Sequence, residues 1–288
     1  MTTYETPTNM TFSGLKTFFD GNHPYVQFPT PTGSGEIEIN IPSMIAEFGG
    51  FAALNLNRCR IVDFNGWKFR ITGQYVGSTP SSPPFLLYLA KPTNSNFKDV
   101  FLPKENIDSG DFKDIEGLNT GTKLLIINDE DPWTTRQGSS FQREDILLVR
   151  NGRAVNSVIA PYDTCTSYPK CKYIADEDLT YEIKNLIVER SSTCNIIYSL
   201  LMMNYMNNVT IDNVEVQTPS NPFISNVGDQ IFRIMRCTNI TINNVSIDRT
   251  YSDENHAGYG FLINNVWNLR LNGIVSTSPI WGYSVIII

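Results

Sequence analysis

Histidine and cysteine are scarce in this 288-residue chain, which contains two histidines and five cysteines. They form no CxxC pair and no Cys/His group with zinc-ligand spacing, so the sequence predicts no metal site of that type. We expect most of the cysteines to be small buried apolar residues. Cys165 and Cys171 are close enough in sequence to pair, and their disulfide state stays open.

The chain also lacks an excess of positive charge and any long apolar run. Its formal net charge is -7, which argues against a general nucleic-acid binder, because binding phosphates requires a cationic face. No stretch reaches the roughly 18 apolar residues of a membrane span, and the first residues lack the apolar core of a signal peptide. A composition of 41% hydrophobic and 18% charged residues predicts a folded globular protein.

A short motif recurs in the second half of the chain. The segments EIKNLIV, TIDNVEV, TINNVSI and RLNGIVS align on one apolar anchor residue each. The anchors are Ile183, Ile211, Ile242 and Leu271, at intervals of 28, 31 and 29 residues. Intervals of this length, with a short strand in each unit, are typical of a solenoid.

Each repeat unit carries two further signals at fixed distances from its anchor. Two residues after the anchor comes an Asn or Gly, the residues that best tolerate a left-handed backbone, which predicts a sharp bend. These bend residues are Asn185, Asn213, Asn244 and Gly273. A second apolar strand lies eight residues before the anchor and aligns on Met203, Ile234 and Ile263. The unit is therefore strand, turn, strand, bend, strand, which is one turn of a parallel β-helix.

The same pattern extends towards the N-terminus. Phe64 takes the anchor position in an early turn, with Gly66 at the bend and Leu56 eight residues before the anchor. Phe64 and Ile183 are 119 residues apart, which is about 90 more than one turn and predicts an insertion between stacked turns. The segments TKLLIIND and EDILLVRNGRAV predict strands of a small antiparallel subdomain, with a hairpin turn at Asn151-Gly152.

We therefore predict an all-β fold, a right-handed parallel β-helix solenoid with an N-terminal cap and an inserted antiparallel β-subdomain. The segment SGLKTFFDG is expected to form a short helix that covers the first turn. The predicted boundaries are 1–74 for the cap and first turns, 75–175 for the insertion, and 176–288 for further turns.

The segments NNVTIDNVEV, TNITINNVSI and NLRLNGIVS, with the opening YVQFPTPTGSGEIEINI, resemble the right-handed parallel β-helix superfamily called pectate-lyase-like. The segment GTKLLIINDEDPWTTRQGSSFQREDILLV is similar to insertions in some polysaccharide-processing β-helices and phage tailspike-like proteins. The resemblance implies binding or cleavage of acidic or complex polysaccharides, although a shared fold does not transfer chemistry. The Asn-Thr-Asp, Asp-Asp and Gly-His-Gly motifs of polygalacturonases are absent, as is the Asp and Arg cluster of calcium-dependent pectate lyases.

Equivalent positions on successive turns stack about 4.8 Å apart, so the outer face can be described by columns of residues. The column six residues after the anchors places Glu189 and Asp248 two turns apart, near 9–10 Å by that spacing. This is at the wide end of the separation of an inverting carboxylate pair, about 6.5–9.5 Å. Arg190 and Arg249 in the next column could hold a substrate carboxylate. The alternative is a solvated face with local ion pairs.

The densest polar cluster is the segment DRTYSDENHAGYG, residues 248–260. A histidine near two acids can act as a general acid or base, so we predict a catalytic group there. Its members are Asp248, Asp253, Glu254 and His256, with Arg190, Arg249, Glu189, Arg233 and Tyr251 as predicted substrate-binding residues. The alternative is a surface loop whose acids cap neighbouring turns.

Three functions stay open. The leading hypothesis is a glycoside hydrolase or polysaccharide lyase, the second a non-catalytic glycan-binding or phage receptor-binding protein, and the third a structural piece without a ligand. We expect a polysaccharide partner, no nucleic acid and no cofactor; calcium is an alternative without a clear ligand set. The expected location is extracellular, cell-surface or periplasmic, or alternatively the virion tail.

The end of the sequence supplies one more expectation. Residues 280–288, IWGYSVIII, lie where the next inner strand should start, and no polar cap follows them. An uncovered end would expose the core and unpaired backbone groups. We therefore expect that further turns beyond these residues, or a second copy in a homo-oligomer, cover this end.

Overall fold

The structure is a computed structural model of the chain. The residues that it describes are 2–49, 53–74, 84–91, 97–136, 139–158, 170–192, 194, 198–218, 230–248, 259–277 and 285–287. The predicted residues Arg249, Tyr251, Asp253, Glu254 and His256 lie outside this set.

Within these ranges the secondary structure is mostly β. The three helices are α1 (Phe12–Phe19), α2 (Ile41–Phe48) and α3 (Lys104–Ser109). The strands are β1 (Tyr25–Gln27), β2 (Glu36–Asn40), β3 (Leu54–Asn55), β4 (Ile61–Asp63), β5 (Lys68–Thr72), β6 (Phe85–Ala90), β7 (Lys98–Val100), β8 (Thr122–Arg136), β9 (Ser139–Arg150), β10 (Arg153–Ala154), β11 (Lys170–Asp176), β12 (Tyr181–Arg190), β13 (Ser199–Asn204), β14 (Asn207–Gln217), β15 (Gln230–Asp248), β16 (Tyr259–Asn272), β17 (Val275–Thr277) and β18 (Val285–Ile287).

Thirteen of the described strands pair in parallel and form a β-solenoid of about five turns, as the sequence predicts. The predicted anchors are direct partners, because Ile183 pairs with Ile211, Ile211 with Ile242, and Ile242 with Leu271. The second strand follows the predicted register too: Met203 pairs with Ile234, which pairs with Ile263. The 28- to 31-residue repeat therefore gives the register of the later turns correctly.

The first turn differs from the prediction by two residues. Val62, not Phe64, is the partner of Ile183, whereas Arg70 and Glu189 are paired as predicted. The two extra residues lie in the bend, where Asn65 and Gly66 have φ of 53° and 80°. A two-residue left-handed turn here replaces the single asparagine of the later turns and shifts the register on one side of the bend only.

The bends of the later turns have the left-handed backbone that the sequence predicts. Asn185, Asn213, Asn244 and Gly273 have φ between 52° and 62°. Their side chains help to hold successive turns together: the Asn213 amide donates to Asn185 Oδ1 at 2.7 Å, and the Asn185 amide donates to Asp63 Oδ1 at 2.8 Å. Asparagine therefore supplies both the backbone conformation and a hydrogen bond between turns.

Apolar side chains on the inward side of these strands form one core. Leu201, Phe232 and Phe261 are adjacent in register and at most 1% exposed, and the Phe232 and Phe261 rings stack with centroids 5.0 Å apart. The cysteines follow the expected pattern, because Cys59, Cys171, Cys194 and Cys237 are all buried. Burial raises the pKa of the Cys59, Cys171 and Cys237 thiols to about 12.

The predicted N-terminal helix is present as α1. Thr11 caps it by accepting a hydrogen bond from the Gly14 backbone at 3.1 Å, and Leu15 and Phe19 on its apolar face are buried in the core of the solenoid. The helix α2, which the sequence did not predict, begins after Asn40, whose side chain accepts from Ser43 N at 3.1 Å. Both helices follow the rule that a short polar residue at the N-cap satisfies a free backbone donor.

The predicted insertion contains a separate five-stranded antiparallel sheet in the order β10-β9-β8-β11-β7. Asn151 and Gly152 form the expected two-residue hairpin, with φ of 47° and 77°, between the paired residues Arg150 and Arg153. β6 also lies within the predicted range 75–175, but it pairs in parallel with β3 and β13 and is part of the solenoid. In the described chain the antiparallel sheet lies between β6 and β12 within a single turn.

Candidate functional site

The residues of the outer column that the sequence predicts to carry chemistry lie on strands that pair from turn to turn. Glu189 pairs with Arg70 and Gln217, and Asp248 pairs with Thr277. Glu189 contacts Lys68, whose Nζ lies 2.7 Å from Glu189 and 3.4 Å from Glu36. Asp248 is exposed at the end of β15. Glu189 is thus part of a local ion-pair network, and Asp248 lies on the open face two turns away.

The two described arginines of the predicted site lie in different surroundings. Arg190 is only 7% exposed, pairs with the buried Ile71, and has its guanidinium carbon 5.1 Å from the centre of the Tyr198 ring. Arg233 is half-buried, and burial, followed by the charge of Arg236, lowers its pKa. Both arginines are thus more buried than Asp248, which is exposed. Their predicted role in substrate binding stays a prediction.

A set of left-handed residues that the sequence analysis missed attaches the inserted sheet to the solenoid. Tyr205, Arg236 and Asn265 occupy equivalent corners of three turns, with φ of 58°, 52° and 50°. Arg236 Nε donates to Glu144 of β9 at 2.6 Å, and the Asn265 amide donates to the same carboxylate at 2.7 Å. The Glu144 side chain is 8% exposed. The pair is therefore shielded from solvent and fixes the sheet against the solenoid.

Aromatic contacts complete this attachment. The Phe97 ring meets Tyr205 edge-on with centroids 4.8 Å apart, and Lys172 Nζ lies 5.1 Å from the Phe97 centroid. Burial lowers the pKa of Arg236, but the charge and hydrogen bond of Glu144 outweigh burial, so the pKa is raised overall. The Arg236 guanidinium is thus held in its charged form at the junction.

A cleft of about 700 Å³ opens at the same junction, on the side of the first turns. Its walls come from four separate stretches of the chain. They are the segment before β1, the loop between β3 and β4, the start of the insertion, and the end of β11 with the segment that leads to β12. Its charged and aromatic lining residues are Arg58, Arg60, Lys91, Lys98, Glu177 and Tyr181. The volume is within the range of about 300–1,000 Å³ typical of ligand sites.

The loop between β3 and β4 places two arginines on one wall of the cleft. The backbone of Cys59 donates to Leu56 O at 2.9 Å, and that of Arg60 donates to Pro24 O at 2.7 Å. Cys59 is 3% exposed, whereas Arg58 is exposed and Arg60 half-buried. A buried residue between two arginines therefore anchors the loop, and both arginines line the cleft. The Arg60 guanidinium carbon lies 5.9 Å from the centre of the Tyr25 ring.

In the part of the chain that the structure describes, few protein groups contact the cationic side chains of Arg58, Arg60 and Lys98. Within the described residues, Arg58 makes one side-chain hydrogen bond, to Asp20 O at 3.1 Å, and Arg60 makes one, to the Tyr25 hydroxyl at 3.3 Å. No carboxylate of the described chain lies within 4.0 Å of Arg58, Arg60 or Lys98. Arg60 Nε is buried and has no acceptor there. Since a guanidinium carries five donors, most of the capacity of both arginines is unused by the protein.

Lys91 differs from the other cations because it is committed to structure. Its Nζ lies 2.6 Å from Asp176 Oδ2 and donates to Ala175 O at 3.1 Å. The Asp176 side chain is 4% exposed, so this ion pair closes the base of the insertion, where the chain leaves and rejoins the solenoid.

Tyr181 also lines the cleft. Burial and then the charges of Asp176 and Glu177 raise the pKa of Tyr181, while the charge of Arg60 opposes this shift. The Tyr181 phenol is therefore neutral at physiological pH.

The sequence alone gave little indication of this cleft. Its walls are separated by more than a hundred residues, since Arg58 and Tyr181 are 123 positions apart. The available signal was the segment NRCR, two arginines around a cysteine in a loop between apolar strands of an acidic protein. The sequence does not show that the insertion packs opposite this loop, so the segment NRCR alone does not predict a cleft.

Two absences hold for the described part of the chain. No group of three or more His, Cys, Asp or Glu side chains is placed to hold a metal ion among those residues. None of the helices found there has the length and apolar character needed to cross a membrane.

These features define a parallel β-helix protein with an inserted antiparallel sheet and a cleft between the two. Among solved structures, the chain is similar to the crystal structure of the tailspike protein gp49 from Pseudomonas phage LKA1, with a TM-score of 0.50 and 14% identity. The match covers 96% of this chain and 43% of the tailspike chain, so this chain spans less than half of that protein. At this identity the likeness shows the fold alone. No family model and no curated protein matches the chain.

Proposed function

We propose that the chain is a glycan-binding protein of the phage-tailspike type, which binds a polysaccharide in the cleft between the solenoid and the inserted sheet. The observation that carries this proposal is the cleft itself, which has about 700 Å³ of space and a lining of hydrogen-bond donors and one tyrosine. Sugars present hydroxyl groups and apolar ring faces, and a lining of this kind can contact both. The fold neighbour, a phage tailspike, supports a location on a virion tail.

The test is direct binding of the intact chain to a panel of neutral and acidic polysaccharides, measured by calorimetry or on a glycan array. Leu179 lines the cleft, so Leu179→Trp should fill part of it and weaken binding. Val275→Trp on β17 is the matched control, because Val275 is 58% exposed and does not line the cleft. Folded protein that binds no member of a broad panel would contradict the proposal, as would equal binding by Leu179→Trp.

A second candidate is cleavage of the bound polysaccharide, and the exposure of Asp248 on the outer column favours it. In this proposal Asp248 and the predicted residues Asp253, Glu254 and His256 supply the acid and base groups. Incubation with each bound polysaccharide should then release new reducing ends or unsaturated products, and Asp248→Asn should reduce the rate. Binding without either product would leave the non-catalytic function.

Self-association is a further part of the proposal. A homo-oligomer is expected because β18 has one partner among the described strands, β16, and a strand edge without a partner can pair with another chain. Light scattering of the purified chain across a concentration series measures this, and a constant monomer mass would contradict it.

A further inference from the structure

The charge in the cleft is opposite to the charge of the whole chain. The protein carries a formal charge of -7, yet four of the cleft residues are cations and one, Glu177, is an acid. Lys91 is neutralised by Asp176 at 2.6 Å, which leaves Arg58, Arg60 and Lys98 against Glu177. A local positive site on an acidic protein concentrates anions there and repels them elsewhere.

The position of these cations gives the site a preferred ligand geometry. Arg58 and Arg60 lie on the solenoid wall, whereas Lys98 begins β7 on the wall formed by the inserted sheet. Guanidinium groups bind carboxylate and sulfate oxygens through paired hydrogen bonds, and an ammonium group supplies a point charge. An anionic group between the walls would therefore meet donors from both sides.

We infer that the cleft selects acidic glycans, and that Arg58, Arg60 and Lys98 bind the carboxylate or sulfate groups of a polysaccharide. This inference rests on the proposed glycan-binding function and adds the substrate class. Glu177 lies in the same lining and opposes an anionic ligand, so neutralising Glu177 should strengthen binding. Tyr181, with its neutral phenol, is available to contact a sugar ring beside the anionic group.

The decisive experiment compares four proteins against polygalacturonate, alginate, dextran sulfate and neutral dextran at low and high salt. The double variant Arg58→Gln, Arg60→Gln should weaken binding of the acidic polymers about tenfold or more, because charge-assisted hydrogen bonds are lost. Glu177→Gln should strengthen it. Arg270→Gln is the matched control, because Arg270 is exposed on β16 and does not line the cleft. Added salt should weaken acidic binding, because exposed charges are screened.

The outcomes separate the inference from the function on which it rests. Preference for the uronates or for dextran sulfate, with the expected response of both cleft variants, supports the inference and shows which anion is preferred. Binding of neutral dextran alone, or acidic binding that neither cleft variant alters, overturns the inference but leaves glycan binding intact. No binding of any glycan in a broad panel by the folded protein overturns both. Circular dichroism of each variant checks the fold, and the expected gain in Glu177→Gln cannot be produced by misfolding.

Discussion

The solenoid and the inserted sheet both rely on asparagines with a left-handed backbone, but in different ways. In the solenoid, Asn213 repeats a conformation found at the same place in neighbouring turns and donates to Asn185 at 2.7 Å. In the inserted sheet, Asn151 serves one hairpin and accepts from the Gly121 backbone at 2.9 Å. The solenoid is thus specified by repetition along the chain, and the inserted sheet by local turn chemistry.

The two units also have separate hydrophobic cores. The solenoid residues form one large cluster, whereas the inserted sheet has its own clusters, which include Phe112 and Leu147 on one side and Leu124 and Leu148 on the other. The two units meet mainly through polar and aromatic contacts, such as Arg236 with Glu144 and Tyr205 with Phe97. We therefore expect them to respond differently to removal, core mutation and changes at the bends.

The largest expected effect comes from removing the inserted sheet. Replacing residues 92–176 by a short Gly-Ser linker should leave the solenoid folded. Lys91 and Asp176 form a salt bridge of 2.6 Å, so the two ends of the inserted segment are close enough for a short linker to join. Loss of the Phe97 and Glu144 contacts should lower the stability of what remains. Circular dichroism and thermal unfolding measure both effects.

A second variant sharpens the deletion experiment. Arg236 loses the buried partner Glu144 in the deleted protein, so adding Arg236→Gln should recover part of the stability. The same substitution in the full chain should destabilise, because it leaves Glu144 without its cation. Loss of all β-structure after the deletion would show that the inserted sheet is integral to the solenoid core.

The next largest effect is expected from a cavity in each core. Phe232→Ala in the solenoid and Phe112→Ala in the inserted sheet each remove a ring that is at most 1% exposed. Each should cost about 3–5 kcal/mol of unfolding free energy in its own unit. Amide hydrogen exchange measures this locally: Phe232→Ala should lower protection in β13 to β16, and Phe112→Ala in β8 to β11. Equal loss of protection in both units after either substitution would mean that they unfold as one.

The deletion and the core substitutions both depend on unit boundaries that are only partly predictable from the sequence. The later turns were predictable because Ile183, Ile211 and Ile242 recur with a short, nearly constant spacing. The first turn was displaced because Asn65 and Gly66 form a longer bend, which a fixed offset cannot detect. β6 was missed because the insertion separates it from the anchor that should follow eight residues later. The cleft escaped prediction for a similar reason, since it depends on how distant segments meet in space.

A smaller effect is expected at the bends. Asn213→Val and Asn244→Val should each cost on the order of 1–2 kcal/mol, because a β-branched residue does not comfortably adopt φ of 53° or 52°. Asn151→Val should cost a similar amount in the inserted sheet, where φ is 47°. Denaturant unfolding measures the three changes.

Glycine at the same positions separates backbone strain from side-chain contacts. Asn213→Gly keeps the left-handed backbone without strain and loses only the hydrogen bond to Asn185. It should therefore destabilise less than Asn213→Val. If both Asn213→Val and Asn244→Val unfold at the same denaturant concentration as the unmodified protein, the bends do not restrict the residue type.

The smallest expected effect is a pH dependence on the outer face of the solenoid. A hydrogen bond from Lys68 to Glu189, followed by the charges of Glu189 and Glu36, raises the Lys68 pKa despite partial burial. Because the folded state binds this proton more tightly, the stabilisation is complete below the lysine pKa of the unfolded chain, about 10.4, and is lost as the pH rises through the higher folded pKa.

Lys68→Met should thus be less stable than the unmodified protein at neutral pH by about 0.2–1 kcal/mol, and the difference should disappear in alkali. Urea unfolding across this range measures it. Lys98→Met is the control at neutral pH, because Lys98 has no carboxylate within 4.0 Å in the described chain and its loss removes no such ion pair. A difference for Lys68→Met that stays constant from neutral to strongly alkaline pH would show that packing of the lysine stem, rather than its charge, connects these turns.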